Sequence, residues 1–291
     1  MIKETPIASL PQVNFPIKKK LEPSSINPDL PSLFFSALIV GAKNSGKTYS
    51  MTSLLKLFEN NPIYDINGNE LEQRIILFSP TAKNETNIVF KNLKYLNEDD
   101  IYLEYDDEIL EEIVEQMKAN VDAVNEYENY MKILNKFEKT NQELTEEEYW
   151  YLYNNNFIPM TPIKHIITHI IFDDLIGNKN TFKNNRDGGL VKFLLKHRHL
   201  YSNIYITTQY INAIQPIIRN NIDIFCIFKY ANLKDVVNKF YPVVSGVMTE
   251  PQFIELYKHS TDAKFNFLTI IQSKKGLSIR KNWNTLLKIE N

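Results

Sequence analysis

Apolar residues along the chain follow two spacings. Short continuous runs at 33–40 (LFFSALIV), 74–79 (RIILFS), 166–172 (IITHIIF), 203–208 (NIYITT), 222–228 (IDIFCIF) and 265–271 (FNFLTII) predict strands, several of them apolar enough to be buried on both faces of a sheet. Between most of these runs the apolar positions recur at helical spacing. The clearest case is 49–58, which stops at Asn60-Asn61-Pro62 and predicts a helix just after a glycine loop. Alternating strands and helices predict an α/β fold, a mostly parallel sheet flanked by helices with right-handed crossovers. Ligands then gather beyond the carboxyl ends of the strands. One stretch interrupts the alternation: Ile109, Ile113, Met117, Val121, Val124, Tyr127, Met131 and Leu134 recur every three or four residues, the stripe of one long amphipathic helix. A second helix is expected from Thr145-Glu146, so residues of about 98–160 are expected to form a helical insertion, longer than an ordinary loop. Residues 1–32 hold Pro6, Pro11, Pro16, Pro23, Pro28 and Pro31 with a Lys18-Lys19-Lys20 run and predict an extended arm ahead of one domain at 33–291.

Charge sharpens this organisation. Residues 98–149 carry 18 Asp and Glu against 4 Lys, a net −14, so the rest of the chain is at +12 although the whole is only −2. A basic body bearing an acidic appendage suits a polyanionic partner such as nucleic acid, with lysines solvated on ordinary helices as the alternative reading, and the absence of any base-reading module predicts that nucleic-acid binding is electrostatic and sequence-independent. No apolar run approaches the roughly 20 residues that cross a bilayer, and the opening MIKETPIASLPQ has no secretion-signal pattern, so a non-secreted, soluble protein is expected. The single Cys226, inside an apolar run, excludes a disulfide scaffold and is expected to pack in the core. His197 and His199 lack acidic or thiol neighbours at metal-binding spacing and are expected to face solvent.

Residues 41–48 read GAKNSGKT, a full GxxxxGK[ST] phosphate loop between a predicted strand and a predicted helix. Gly41 and Gly46 allow the loop's backbone angles, and the N–H groups from about Asn44 through Ser45 to Thr48 are set to wrap a phosphate at the positive end of the helix. Lys47 would neutralise the outer phosphates of ATP, and the Thr48 hydroxyl would bind Mg²⁺. The run 170–172 ends in Asp173-Asp174, two acids where a metal and an attacking water belong. Asp173 is the expected metal ligand and Asp174 the expected general base, with a helix cap as the alternative role for Asp174. ATPases with an additional strand between the two motifs more often carry Glu at that second place. The strand at 203–208 ends at Gln209, placed either to sense the terminal phosphate or as an ordinary buried amide. Of the five arginines, Arg74, Arg186, Arg198, Arg219 and Arg280, those preceding predicted strands, Arg198 and Arg219, are the candidates for a transition-state arginine, each with helix capping as its alternative. No NKxD base-reading motif supports a GTPase and no LSGGQ-like signature supports a transporter, while a mere binding module has no need of Asp173, Asp174 and Gln209 beside an intact Lys47.

Taken in order, GAKNSGKT, ILFSPTAKNE, IIFDDLI, LLKHRHLYSNIYITTQY, IIRNNIDIFCIFK, FNFLTII and SIRKNW resemble the genome-packaging ATPases of large nucleocytoplasmic DNA viruses and virophages, in the FtsK-HerA superfamily. The resemblance covers about 30–105 and 160–285 and leaves the acidic insertion unaccounted for. It implies a RecA-like P-loop sheet, a homo-oligomeric ring (pentamer or hexamer), and ATP-driven pumping of double-stranded DNA into a capsid. It also implies family roles for Lys47, Asp173, Asp174 and Gln209, an arginine reaching into a neighbour's site, docking to capsid or portal-vertex proteins, and residence in host cytoplasm, viral factory or virion. A translocase or helicase-like motor of the same superfamily, not tied to packaging, shares the same ATP site.

Overall fold

The computed structural model describes residues 24–25, 27–65, 68–82, 88–139, 143–175, 188–273 and 276–288. The prolines and lysines expected to form the arm up to Pro23, and Arg186, lie outside the described residues. In chain order the elements are β1 (Ser24–Ser25), β2 (Ser36–Val40), α1 (Lys47–Glu59), β3 (Ile63–Tyr64), β4 (Glu72–Phe78), α2 (Ile88–Lys91), β5 (Leu96–Tyr102), α3 (Asp107–Lys139), α4 (Glu146–Asn154), β6 (Ile166–Phe172), α5 (Gly189–Lys196), β7 (Ser202–Thr208), α6 (Pro216–Arg219), β8 (Ile224–Phe228), α7 (Leu233–Val244), α8 (Glu250–Ser260), β9 (Phe267–Ser273), β10 (Gly276–Lys281) and β11 (Thr285–Leu286). A 3-10 turn, His197–Leu200, leads into β7.

Among the described residues the main sheet has nine strands in the order β11-β10-β9-β8-β2-β7-β6-β4-β5. The six from β8 to β5 are parallel and the last three antiparallel, so the expected mostly parallel α/β sheet flanked by helices is what the chain forms. Alternation within each apolar run feeds both faces. Leu38 and Val40 of β2 join one core with Ile170, Phe172, Ile204 and Ile206, whereas Ala37 and Ile39 join the opposite core with Ile167, Ile171 and Tyr205. Helix α1 covers the second face through Met51, Leu54, Leu55 and Phe58; helices α5, α7 and α8 cover the first. Each such buried Leu or Ile contributes about 1.5–3 kcal/mol. Cys226 lies in the core as expected.

The expected insertion begins differently from its sequence pattern. Leu96–Tyr102, rich in acids, is the edge strand of the main sheet, parallel to β4. Its buried acid, Asp100, is held by Arg74, with Nη2 2.6 Å and Nε 3.1 Å from the carboxylate oxygens. The first half of α3 then lies on the main core through Leu110, Ile113 and Met117. Only the second half stands apart: Tyr130, Ile133 and Leu134 bury against Leu152 of α4 in a small core of their own. Thr145 caps α4 in a reciprocal capping box with Glu148, as the Thr145-Glu146 start predicts.

Candidate nucleotide site

Strand β7 lies between β2, which enters the phosphate loop, and β6, which ends at Asp173. This one intervening strand brings three strand ends to the same edge of the sheet. The loop peptide is tied to β7 directly, the Gly41 N–H donating to Thr208 O at 3.1 Å. Gly41 is a steric requirement, because a Cβ there would stand 2.5 Å from Ser45 Oγ and 2.7 Å from Phe228 Cβ. Asn44 at φ 61° and Gly46 at φ 101° turn the loop through left-handed conformations before α1 begins at Lys47. Successive N–H groups in such turns form an anion-binding nest at a helix N-terminus.

Lys47 Nζ donates to the loop carbonyls of Gly41 (3.0 Å) and Ala42 (3.1 Å), so the ammonium lies across the loop itself. Burial lowers its pKa, an effect opposed by the charges of Asp174 and Asp173. Ser45 Oγ is buried without a hydrogen-bond partner among the described residues, and sits against Gly41 inside the loop. An orphaned hydroxyl and a lysine turned inward suit a loop that takes a phosphate.

The two acids are treated differently by their surroundings. Asp173 is 2% exposed. Its Oδ1 accepts from Thr207 at 2.7 Å and from Thr48 at 3.4 Å, and its Oδ2 accepts from Ser79 at 3.2 Å. Burial pushes its pKa up, the Thr207 and Ser79 hydrogen bonds pull it back down, and Asp174 pushes it further up. A desolvated carboxylate beside a threonine hydroxyl is a hard, all-oxygen donor pair that fits Mg²⁺, which takes one or two protein oxygens and completes its shell with phosphate and water. Asp174 sits at φ 50°, a left-handed conformation that Asp tolerates, and its N–H donates to Thr207 Oγ1 at 3.0 Å. Its Oδ2 accepts from Gln209 Nε2. Thr207 therefore bridges the two acids, and Gln209 fixes the second.

Lys47, Thr48, Asp173, Asp174 and Gln209 thus meet at one edge. Arg198 and Arg219 do not join them within the chain. Arg198 sits in the turn before β7, at the strands' amino edge, and pairs with Asp223, whose other oxygen accepts from Ser36 N (2.9 Å) and Oγ (3.0 Å). Arg219 ends α6 and donates to Ile214 O at 3.4 Å. His197 departs from its expected exposure: the 3-10 turn directs it inward, where its Nδ1 meets Leu194 O at 2.7 Å, while His199 stays exposed. Sequence reasoning missed Ser79 and Thr207 as the groups that hold Asp173. Both were visible only by their places at the ends of predicted strands, Ser79 as the last residue of RIILFS and Thr207 as the last but one of NIYITT.

No family model and no curated protein matches the sequence. Among solved structures, the chain is similar to the genome packaging NTPase B204 of Sulfolobus turreted icosahedral virus 2, at 14% identity over 84% of this chain and 96% of that one, with a TM-score of 0.46. It is also similar to EssC (ATPases 2 and 3) of Geobacillus thermodenitrificans, at 14% identity over 85% of this chain and 39% of that one, TM-score 0.46. A third is the cytoplasmic domain of the type VII secretion ATPase EccC of Thermomonospora curvata, at 12% identity over 88% of this chain and 26% of that one, TM-score 0.40. All three matches are distant.

Proposed function

We propose that this chain is a Mg²⁺-dependent ATPase that drives double-stranded DNA into a viral capsid as a subunit of a homo-oligomeric ring. The observation that carries the ATPase reading is the pair of linked acids at the end of β6, one buried against Thr48 and the other fixed by Gln209, beside Lys47 of an intact phosphate loop. The loop's N–H groups and Lys47 bind and orient the phosphates. Thr48 and Asp173 would hold Mg²⁺, which when bound supplies charge neutralisation across the outer phosphates. Asp174 Oδ2 is the base that takes the proton of the attacking water, and Gln209, its hydrogen-bond partner, couples that carboxylate to the terminal phosphate. Asp174 also begins a left-handed turn; the residues it would cap as a helix N-terminus lie outside the described residues.

The packaging reading rests on the ordered motif set and on the charge split of the chain, a +12 remainder against the −14 segment. In a ring, Arg198 on the edge opposite its own phosphate loop is free of that loop's geometry and reaches a neighbouring subunit's site; Arg219 is the second candidate. The acidic hairpin lies away from the DNA path, and the ring docks on capsid or portal-vertex proteins in host cytoplasm, viral factory or virion.

The experiment is phosphate release by the purified protein with and without duplex DNA, at low and physiological salt, together with the mass of the assembly. The expected result is stimulation by duplexes of any sequence, falling steeply with salt, in an assembly of five or six copies. ATP hydrolysis indifferent to DNA would remove the motor and keep the ATPase.

A further inference from the structure

The triphosphate reading fixes one end of the nucleotide and leaves its base unaccounted for. The terminal phosphate belongs beside Asp173, Asp174 and Gln209, on the β6 and β7 side of β2. The nucleoside end therefore leaves the loop on the other side of β2, where β8 and β9 lie. At that edge stand two aromatics. Phe228, the last residue of β8, is buried beneath the loop, in contact range of both glycines. Phe265, just ahead of β9, is 55% exposed, and a Cβ on Gly46 would meet its Cδ1 at 3.1 Å.

Phe265 is held in that position against its own preference. Its φ is 71°, in the left-handed region that bulky residues avoid, and such outliers persist only where surrounding structure imposes them. The imposing contacts are numerous. Asn266 N donates to Ala263 O at 3.2 Å, and Asn266 Nδ2 donates to Asp262 Oδ1 at 3.2 Å. Asn282 Nδ2 donates to Asn266 Oδ1 at 3.1 Å, while Asn282 Oδ1 accepts from Phe267 N at 3.1 Å. Lys281 closes the set on Asp262 at 2.8 Å, a contact that holds the Asp262 carboxyl well below the usual range, at about 2. A pinned turn therefore presents a half-exposed ring at the rim of the phosphate loop. Lys264 Nζ lies over the ring, 4.8 Å from its centroid.

We infer that Phe265 is the stacking platform for the purine base of the bound nucleoside triphosphate, a positioning residue that acts on the base and not on the phosphates. This rests on the nucleotide-site reading above. A rigid aromatic face recognises a base by its π-surface and without hydrogen bonds to its edge. Removing the face should weaken any purine nucleotide while leaving a bare phosphate chain untouched.

The test measures equilibrium binding of ATP and of inorganic tripolyphosphate to the full chain, wild type, Phe265→Ala and Phe265→Trp, with thermal melting as the folding check. The expected result is ATP affinity about 10-fold weaker in Phe265→Ala, unchanged tripolyphosphate affinity, and ATP affinity restored in Phe265→Trp. Equal weakening of both ligands would mean that Phe265 acts by packing on Gly46 and would overturn the stacking role. Unchanged ATP affinity in Phe265→Ala would overturn it as well. Wild-type protein that binds neither ligand would instead overturn the nucleotide site on which the inference rests.

Discussion

The chain gathers acids in two places and uses them in opposite ways. At the end of β6, Asp173 is buried and held by three hydroxyls, and its pKa is raised by burial. In the distal half of α3 with α4, acids stand in solvent. Glu148 there is held below the usual carboxylate range by its hydrogen bond from Lys136, at 2.6 Å, and by the Thr145 N–H at 2.9 Å. The same hairpin leaves Phe137, Tyr149, Trp150 and Tyr153 largely exposed, whereas large apolar side chains of the central strands are buried. The difference teaches that a count of acids measures surface, and that chemistry resides where burial forces each oxygen to find a partner. Two acids at the sheet edge outweigh the −14 segment.

The largest effect expected at the site end is that of Lys47→Ala. Turnover should fall by about 10³-fold or more, with melting little changed, because among the described residues the ammonium donates only to two loop carbonyls. Phosphate release with a melting curve checks it, and wild-type turnover would erase the distinction between the two regions. Next is Arg198→Ala. Its ion pair with Asp223 is exposed on the arginine side, so stability should change by under about 1 kcal/mol. Hydrolysis should fall about 10³-fold if the guanidinium serves a neighbour. Mixing this variant with Lys47→Ala subunits should restore activity, since an intact Lys47 then meets an intact Arg198. Rescue only with Arg219→Ala in place of Arg198→Ala would transfer the role.

At the boundary between the regions, Ile113→Ala should cost about 3 kcal/mol and lower the melting temperature by roughly 10 °C, because Ile113 belongs to the main core. Replacing 122–162 by a short Gly-Ser linker should leave that transition and the ATPase in place. The ends already meet there: Asn120 Nδ2 donates to Lys164 O at 3.2 Å and Asn120 Oδ1 accepts from Ile166 N at 3.2 Å. Loss of DNA stimulation with folding retained would bring the hairpin into the motor.

A smaller effect tests the buried side of the comparison by pH. His169 is enclosed, its Nδ1 2.9 Å from Tyr205 Oη and its Nε2 3.2 Å from Gln73 Oε1, and burial lowers its pKa to about 3. The unfolded chain takes up this proton below about pH 6.5, whereas the folded chain refuses it until about pH 3. Stability is therefore full above pH 6.5 and falls as pH drops, by about 2 kcal/mol at pH 5 from this residue. Urea midpoints of wild type and His169→Gln at pH 7, 6 and 5 should converge toward low pH, and parallel curves would place His169 in water.

Much of this was legible beforehand, for reasons that individual elements make plain. IITHIIF is a strand at its predicted bounds because a central parallel strand needs apolar residues on both faces. GAKNSGKT could be read because few residue types tolerate its backbone. LNEDDIY could not be read as a strand: at the sheet edge only Asp100 is buried, and its charge is answered by Arg74, distant in sequence. One stripe along α3 could not show that its first half packs on the sheet and its second half on α4, since both partners offer the same apolar face. Phe265 gave no signal, because its place depends on the Asp262, Asn266 and Asn282 network and on strand order.

The claim that matters most is that Asp174, fixed by Gln209, activates the water at a site whose binding groups are separate from it. Asp174→Asn, followed by ATP binding and single-turnover phosphate release on the same preparation, tests it most directly. Binding within a few-fold of wild type with release slowed about 10²- to 10⁴-fold is the predicted result. Release at the wild-type rate with binding intact would contradict it and return Asp174 to the role of a turn residue.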